Sequence, residues 1–289
     1  MTGVEIAIGF FDGLHIGHRK IFDAMLSRAA QMSARTLVMT FVNHPREIFA
    51  PDKAPKFLMS PKARIDGISG LGADEVIAEI FTPEVAETTA ESFAERLKTD
   101  FPSLDTVFCG PNWTFGKGGE GNADFLRNRG VNVCEVPFAV LNGETVSSTR
   151  IRAALEEGDL DLAGAMLGRK YSAEGDVAKG KGLGRSIGFP TLNVTFGFLP
   201  PLRFGVYALS TPLGKAVANW GFAPTMRERA WETPVLEIHL LEKSGEEFEV
   251  PEKFEAVFEK FIRPEMRFDS IDSLKAQISR DTQFAMSLS

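Results

Sequence analysis

Residues 4–33, VEIAIGFFDGLHIGHRKIFDAMLSRAAQMS, hold the change of period on which the fold reading turns. Val4 to Phe10 is a short apolar run with Gly9 near its end, and it reads as a buried strand. From Gly17 the spacing changes. Ile21, Met25 and Ala29 lie four apart, which is helical. Outward from this unit the alternation repeats. Strands are predicted at Arg35 to Phe41, Glu75 to Glu79, Thr106 to Gly110 and Val131 to Pro137. Helices are predicted at 60–70, at 88–98 with Thr88 or Thr89 as cap, and at Asn122 to Asn128. Strands that alternate with helices imply a parallel sheet covered on both faces, an α/β architecture.

Around residue 147 the pattern becomes wholly helical, SSTRIRAALEEGDLDLAGAMLG, broken at Gly158. This stretch reads as a connector that closes a first domain at 1–168. From Tyr171 the chain changes character. Leu192–Val194, Val206–Leu209, Ala216–Trp220, Val235–Leu241 and Phe248–Val250 are short apolar runs divided by Gly, Pro and Thr. They predict a small antiparallel β-barrel at 169–289, closed by a terminal helix in SIDSLKAQISRDTQFAM.

Composition narrows the function. The 289 residues are 44% hydrophobic and 25% charged, with a formal net charge of −7. No long basic run suits nucleic-acid phosphates, so no nucleic-acid partner is expected. No apolar run is long enough to span a bilayer, and no targeting signal is visible at the N-terminus. The two cysteines, Cys109 and Cys134, form no CxxC pair and read as buried reduced thiols, which fits the cytoplasm. Oligomeric state is not legible.

Two constellations carry chemistry. His15 and His18 flank Gly17 where the first helix begins, just beyond the strand. A helix N-terminus exposes free N–H groups and suits an anion, Gly17 admits a phosphate to the backbone, and two imidazoles can donate to its oxygens. Ser147 and Ser148 are placed to cap a helix whose first turn carries Arg150, a forked donor for a triphosphate.

The second constellation is GDVAKGKGLGRSIGFPTLNV (175–194). Gly180, Gly182 and Gly184 permit a loop around phosphates, although the P-loop spacing is absent. In the strand that follows, Thr191 and Asn193 share a face and present two oxygens to one point, a fit for Mg²⁺ on ATP. Glu237, mid-strand among apolar residues, is a candidate base for an attacking alcohol. His239 shares its face and reads as a packing or surface residue.

The string GFFDGLHIGH (9–18) resembles the HxGH signature of nucleotidylyltransferases. With TFVNHPREIF (40–49), GPNWTFGKGGEGN (110–122) and VSSTRIRAAL (146–155), it resembles the FAD synthetase module of bacterial bifunctional riboflavin kinase/FMN adenylyltransferases. GKGLGRSIGFPTLN, ANWGFAPT (218–225) and PVLEIHLLE (234–242) resemble the riboflavin kinase module. The resemblance covers nearly the whole chain and implies a Rossmann-like nucleotidyltransferase domain before the barrel. It implies nucleotide contacts at Gly9, Phe11, Asp12, Gly17, Ser147, Ser148, Thr149, Gly180, Gly182, Gly184 and Arg185, and flavin contacts at Asn112, Trp113 and Phe115. It further implies a metal at Thr191 and Asn193, with Glu237, His15, His18 and Arg150 catalytic. ATP, riboflavin, FMN and FAD are the implied ligands. Some residues depart from the family: Trp113 for Phe, Val42–Asn43 for Glu–Pro, Lys170 for Pro, and Glu247–Phe248–Glu249 for Leu–Tyr–Gly. These departures leave two alternatives to two live sites: a single live site, or a flavin or nucleotide sensor without turnover.

Overall fold

The computed structural model describes residues 3–178, 191–222, 233–241 and 251–288. The chain divides into two compact units, Met1–Pro55 with Met59–Ser148, and Lys56–Leu58 with Thr149–Ser289.

The first unit alternates as expected: β1 (Val4–Ile8), α1 (Ile16–Met32), β2 (Arg35–Phe41), α2 (Arg46–Phe49), α3 (Pro61–Gly70), β3 (Glu75–Glu79), α4 (Pro83–Ala86), α5 (Ala90–Asp100), β4 (Leu104–Cys109), α6 (Ala123–Arg127) and β5 (Asn132–Glu135). The sheet is fully parallel in the order β3-β2-β1-β4-β5. Successive side chains point to opposite faces, so each strand feeds two cores. Ile6, Leu37, Met39 and Val107 pack with Ala94 and Leu97 of α5. Ala7, Val38 and Phe108 pack with Phe22 and Met25 of α1 and Ile68 of α3. The strand order reverses between β1 and β4, the switch point where open α/β sheets bind ligands at the carboxyl ends of their strands. A small hairpin follows, β6 (Val140–Leu141) with β7 (Glu144–Thr145).

The second unit holds the connector helices α7 (Ser148–Glu157) and α8 (Leu160–Leu167) and a closed barrel. Its strands are β8 (Ser172–Ala178), β9 (Thr191–Thr195), β10 (Gly205–Thr211), β11 (Gly214–Gly221), β12 (Val235–Leu240) and β13 (Lys253–Arg263), in the order β10-β11-β12-β9-β8-β13. All pairings are antiparallel. The interior is filled by Tyr207, Trp220, Leu236, Ile238, Phe254 and Phe258, each under 2% exposed. A terminal helix, α9 (Ile271–Ser287), starts in a reciprocal capping box between Ser270 and Ser273. The expected run at Phe248–Val250 lies outside the described residues.

Candidate active sites

The first site is built by the turn that leaves β1. Phe11, Gly13 and Leu14 have φ of 56°, 84° and 44°. For Phe and Leu this left-handed backbone costs about 1–3 kcal/mol each and persists only where the surroundings enforce it. Here Phe11 and Leu14 are buried anchors. Thr40 Oγ1 donates to Phe10 O (3.2 Å) and Ser148 Oγ donates to Asp12 O (2.9 Å). The turn delivers His15 to the N-cap of α1, where its Nδ1 accepts the His18 N–H at 3.2 Å. With Nδ1 committed to the helix, a neutral His15 carries its proton on Nε2.

The two imidazoles stack, with centroids 3.6 Å apart and planes 19° from parallel, and Phe11 meets His18 edge-on at 5.3 Å. Gly17 lies beneath them, and a Cβ there would stand 3.1 Å from the His15 ring, close enough to press on it. Burial first, then the neighbouring His15, holds His18 well below the usual histidine range. His18 is therefore neutral, and its buried Nδ1 has no hydrogen-bond partner among the described residues. His18 thus offers a neutral N–H donor at the head of a helix, stacked on the His15 ring.

Two further residues complete this corner, and neither was singled out from sequence. Arg64 of α3 is fully buried, stacks over the Phe10 ring at 4.0 Å, and donates to Val42 O at 2.9 Å. His44 meets the other edge of Phe10 at 4.8 Å. Arg64 was legible only as an arginine four residues before Ile68, on the core-facing stripe of its helix. His44 stood inside the segment already quoted at 40–49.

The loop after β4 is latched to the head of α5. Glu120 Oε1 accepts the Ala90 N–H at 3.0 Å, and Lys117 N donates to Thr88 O at 2.7 Å. Phe115 and Gly121 pair across it. Phe115 sits in the core against Phe93 and Phe125, Trp113 lies half-buried on Phe115 at 4.8 Å, and Asn112 is exposed. Phe115 thus holds the loop down, Trp113 lies half-buried against it, and Asn112 faces solvent. Ser147 immediately precedes α7, whose first turn holds Thr149 and Arg150. Cys109 is buried, and burial pushes its thiol up to about 12, so it stays an inert packing group.

The second site lies on the barrel. Gly180, Gly182, Gly184 and Arg185 fall outside the described residues. Thr191 and Asn193 sit on β9, and the ladder sets Asn193 opposite Glu237 and Thr191 opposite His239. Leu236 and Ile238 point inward, so Glu237 and His239 occupy the outer face. Thr191 Oγ1 donates to Glu237 Oε1 at 3.4 Å. Burial raises the Glu237 carboxyl, and the Thr191 hydrogen bond offsets part of that rise. A raised carboxylate is a stronger proton acceptor, the property a base for an alcohol needs.

A stacked histidine pair at a switch point, followed by a barrel with a half-buried carboxylate beside two oxygen donors, fits a two-module transferase of phosphorus-containing groups. The chain belongs to the bifunctional riboflavin kinase/FMN adenylyltransferase family. Residues 1–150 match the FAD synthetase model and residues 167–289 the riboflavin kinase model. The bifunctional riboflavin kinase/FMN adenylyltransferase of Escherichia coli K12 is 35% identical over 96% of this chain and 90% of its own length. Those of Pseudomonas fluorescens and Bacillus subtilis are 33% and 32% identical, over 99% and 97% of this chain and 93% and 91% of theirs. The crystal structure of the macrolide-efflux protein from Streptococcus pneumoniae superimposes with a TM-score of 0.83 at 25% identity, covering 100% of this chain and 95% of that one. Among the described residues here, no helix is long and apolar enough to cross a membrane.

Proposed function

We propose that this enzyme converts riboflavin to FMN and FMN to FAD at two separate sites, one per module, with functional modules at 1–168 and 169–289. The observation that carries this reading is the contact of Thr191 with Glu237 in register with Asn193, in a unit separate from the stacked His15–His18 pair.

In the barrel, Glu237 accepts the proton of the riboflavin 5′-hydroxyl as that oxygen attacks the γ-phosphorus of ATP, the bond to the β-phosphate oxygen breaks and ADP leaves. Thr191 holds the carboxylate in place. Thr191 Oγ1 and Asn193 Oδ1 are hard oxygen donors and fit Mg²⁺, which would neutralise charge on the ATP phosphates. The family resemblance assigns Gly180, Gly182, Gly184 and Arg185 to the nucleotide.

In the first module an FMN phosphate oxygen attacks the α-phosphorus of ATP, and pyrophosphate leaves. The substrate is itself the nucleophile, so the protein's work is orientation and charge stabilisation. His15 and His18 donate to the phosphate oxygens, with Arg150 as the cationic donor. Asn112 and Trp113 form the flavin side, while Gly9, Phe11, Asp12, Gly17 and Ser147–Thr149 shape the nucleotide side. Both reactions draw on cytoplasmic ATP, and the enzyme is assigned to the cytoplasm on that ground.

The test is reciprocal inactivation. Thr191→Ala should abolish riboflavin phosphorylation and spare FMN adenylylation, whereas His18→Ala should lower adenylylation about 10²–10³-fold and spare the kinase. Product chromatography from riboflavin or FMN with ATP and Mg²⁺ reads both. A folded variant that loses both activities would end the two-site reading.

A further inference from the structure

Strands β11, β12 and β9 lie side by side on the barrel. The ladder sets Asn219 directly opposite Glu237, and Glu237 directly opposite Asn193. Directly opposed residues share a face, with Cβ atoms about 4.5–5.5 Å apart. Their strand neighbours Ala218, Trp220, Leu236 and Ile238 are buried. Three polar side chains therefore cross three strands in one row. Val217, on the same face two residues before Asn219, packs against Ala285 of α9.

The row has a fourth member. Asn219 Nδ2 donates to Glu265 Oε1 at 3.2 Å. Glu265 comes from the segment after β13 and reaches the row by lying across Gly221. A Cβ at position 221 would sit 2.2 Å from Glu265 Oε1, so a side chain there would push this carboxylate off the row. The Glu265 contact also sets the amide of Asn219. Its NH₂ group turns to the carboxylate, and Oδ1 is presented the other way as an acceptor.

We infer that Asn219 and Glu265 read the inner hydroxyls of the ribityl chain of riboflavin while Glu237 faces the terminal one. The inference rests on the assignment of Glu237 as base. The reacting hydroxyl ends a run of neighbouring hydroxyls, each both donor and acceptor. A strand spacing of about 4.8 Å is close to the four-bond length of an extended five-carbon polyol, so one step along the row runs beside the inner hydroxyls. A substrate with its terminal hydroxyl at Glu237 therefore lays its inner hydroxyls along the row, where an amide oxygen and a carboxylate accept from them. Sites built this way reject an analogue lacking the hydroxyls, because their own polar groups are left unpaired. Asn219 and Glu265 are thus specificity residues, remote from the transferred phosphorus.

The experiment compares riboflavin with a flavin bearing a plain 5-hydroxypentyl chain, in the wild type, Asn219→Ala and Glu265→Gln. The preference of the wild type for riboflavin in kcat/KM should shrink about tenfold in each variant, the cost of one hydrogen bond to a charged group. KM for ATP and FMN adenylylation by the other module should not change. Variants that lose activity equally on both flavins, or that keep the full wild-type preference, overturn the inference. Glu265 is exposed, so Glu265→Gln carries the test if Asn219→Ala does not fold. The underlying reading fails separately: a Glu237→Gln enzyme with undiminished kcat removes the base, whatever the chain preference shows.

Discussion

The turn after β1 holds its site through the backbone, with left-handed residues, a helix N-cap and a ring stack on which a side chain at Gly17 would press. The face of β9 and β12 holds its site through register, with a 3.4 Å side-chain hydrogen bond between Thr191 and Glu237. The first arrangement is local in sequence, spanning ten residues from Gly9 to His18. The second joins residues 46 apart and exists only while the barrel is closed. A local, strained site survives loosening of distant elements and fails when one nearby atom is displaced. A register-built site tolerates local change and fails with its sheet.

The largest effect that tests this contrast is on barrel closure. Asp281 of α9 is 3% exposed and takes Arg263 at the end of β13 through both oxygens, at 2.8–3.2 Å, with Gln277 Nε2 donating at 2.8 Å. Asp281→Ala leaves a largely buried guanidinium without its carboxylate, which costs about 3–5 kcal/mol. Thermal inactivation of the kinase should move to markedly lower temperature while adenylylation keeps its wild-type profile. If both activities fall together on heating, the sites do not differ in the way described.

The same contrast explains what the sequence disclosed. The histidine turn was legible because its parts are contiguous and a change of period marks the helix start. The short barrel strands between Thr and Gly breaks were legible too. Strand β13, KFEAVFEKFIR, was not, although Phe254, Ala256 and Phe258 alternate into the interior. Its interposed lysines and glutamates obscure the apolar alternation. Asp281 and Arg64 were missed for the opposite reason. Each is a charged residue on a helix that reads as amphipathic, where the default place for a charge is solvent. Only tertiary packing shows that Asp281 faces Arg263 and that Arg64 lies against Phe10. Nor could sequence show the neutral state of His18, which follows from burial against His15 and Phe11.

A smaller effect probes the backbone-built site. Alanine is the better helix former at position 17, by about 1 kcal/mol. Its Cβ, however, would press on the His15 ring at 3.1 Å and tilt it out of the 3.6 Å stack. Gly17→Ala should leave the melting temperature of the first module unchanged or higher and lower kcat/KM for FMN adenylylation about 10–100-fold, as misplaced donors do. Kinase turnover measured on the same sample should match the wild type. Full adenylylation activity would mean that the stack is incidental and that the strained turn positions something else.

The smallest effect lies at the other end of the parallel sheet, where charge rather than backbone is under tension. Glu5 of β1 is fully buried; its Oε1 takes Arg28 Nε at 3.1 Å, while Arg28 also serves Asp105 at 2.6 Å. Its second oxygen has no hydrogen-bond partner among the described residues. Burial, reinforced by Asp105 and opposed by Arg28, raises the Glu5 carboxyl from 4.5 to about 7. A carboxyl whose pKa is higher in the folded than in the unfolded state favours folding while protonated. That contribution is whole below pH 4.5 and is lost as pH rises through about 7. Glutamine keeps the shape and cannot ionise. Glu5→Gln should therefore gain on the wild type in melting temperature from pH 4.5 to 7 and hold a constant lead above that, by circular dichroism across a pH series. A difference that stays flat over the whole series would place the proton elsewhere, and the amino end of the sheet would then be as rigidly set as the turn at its carboxyl end.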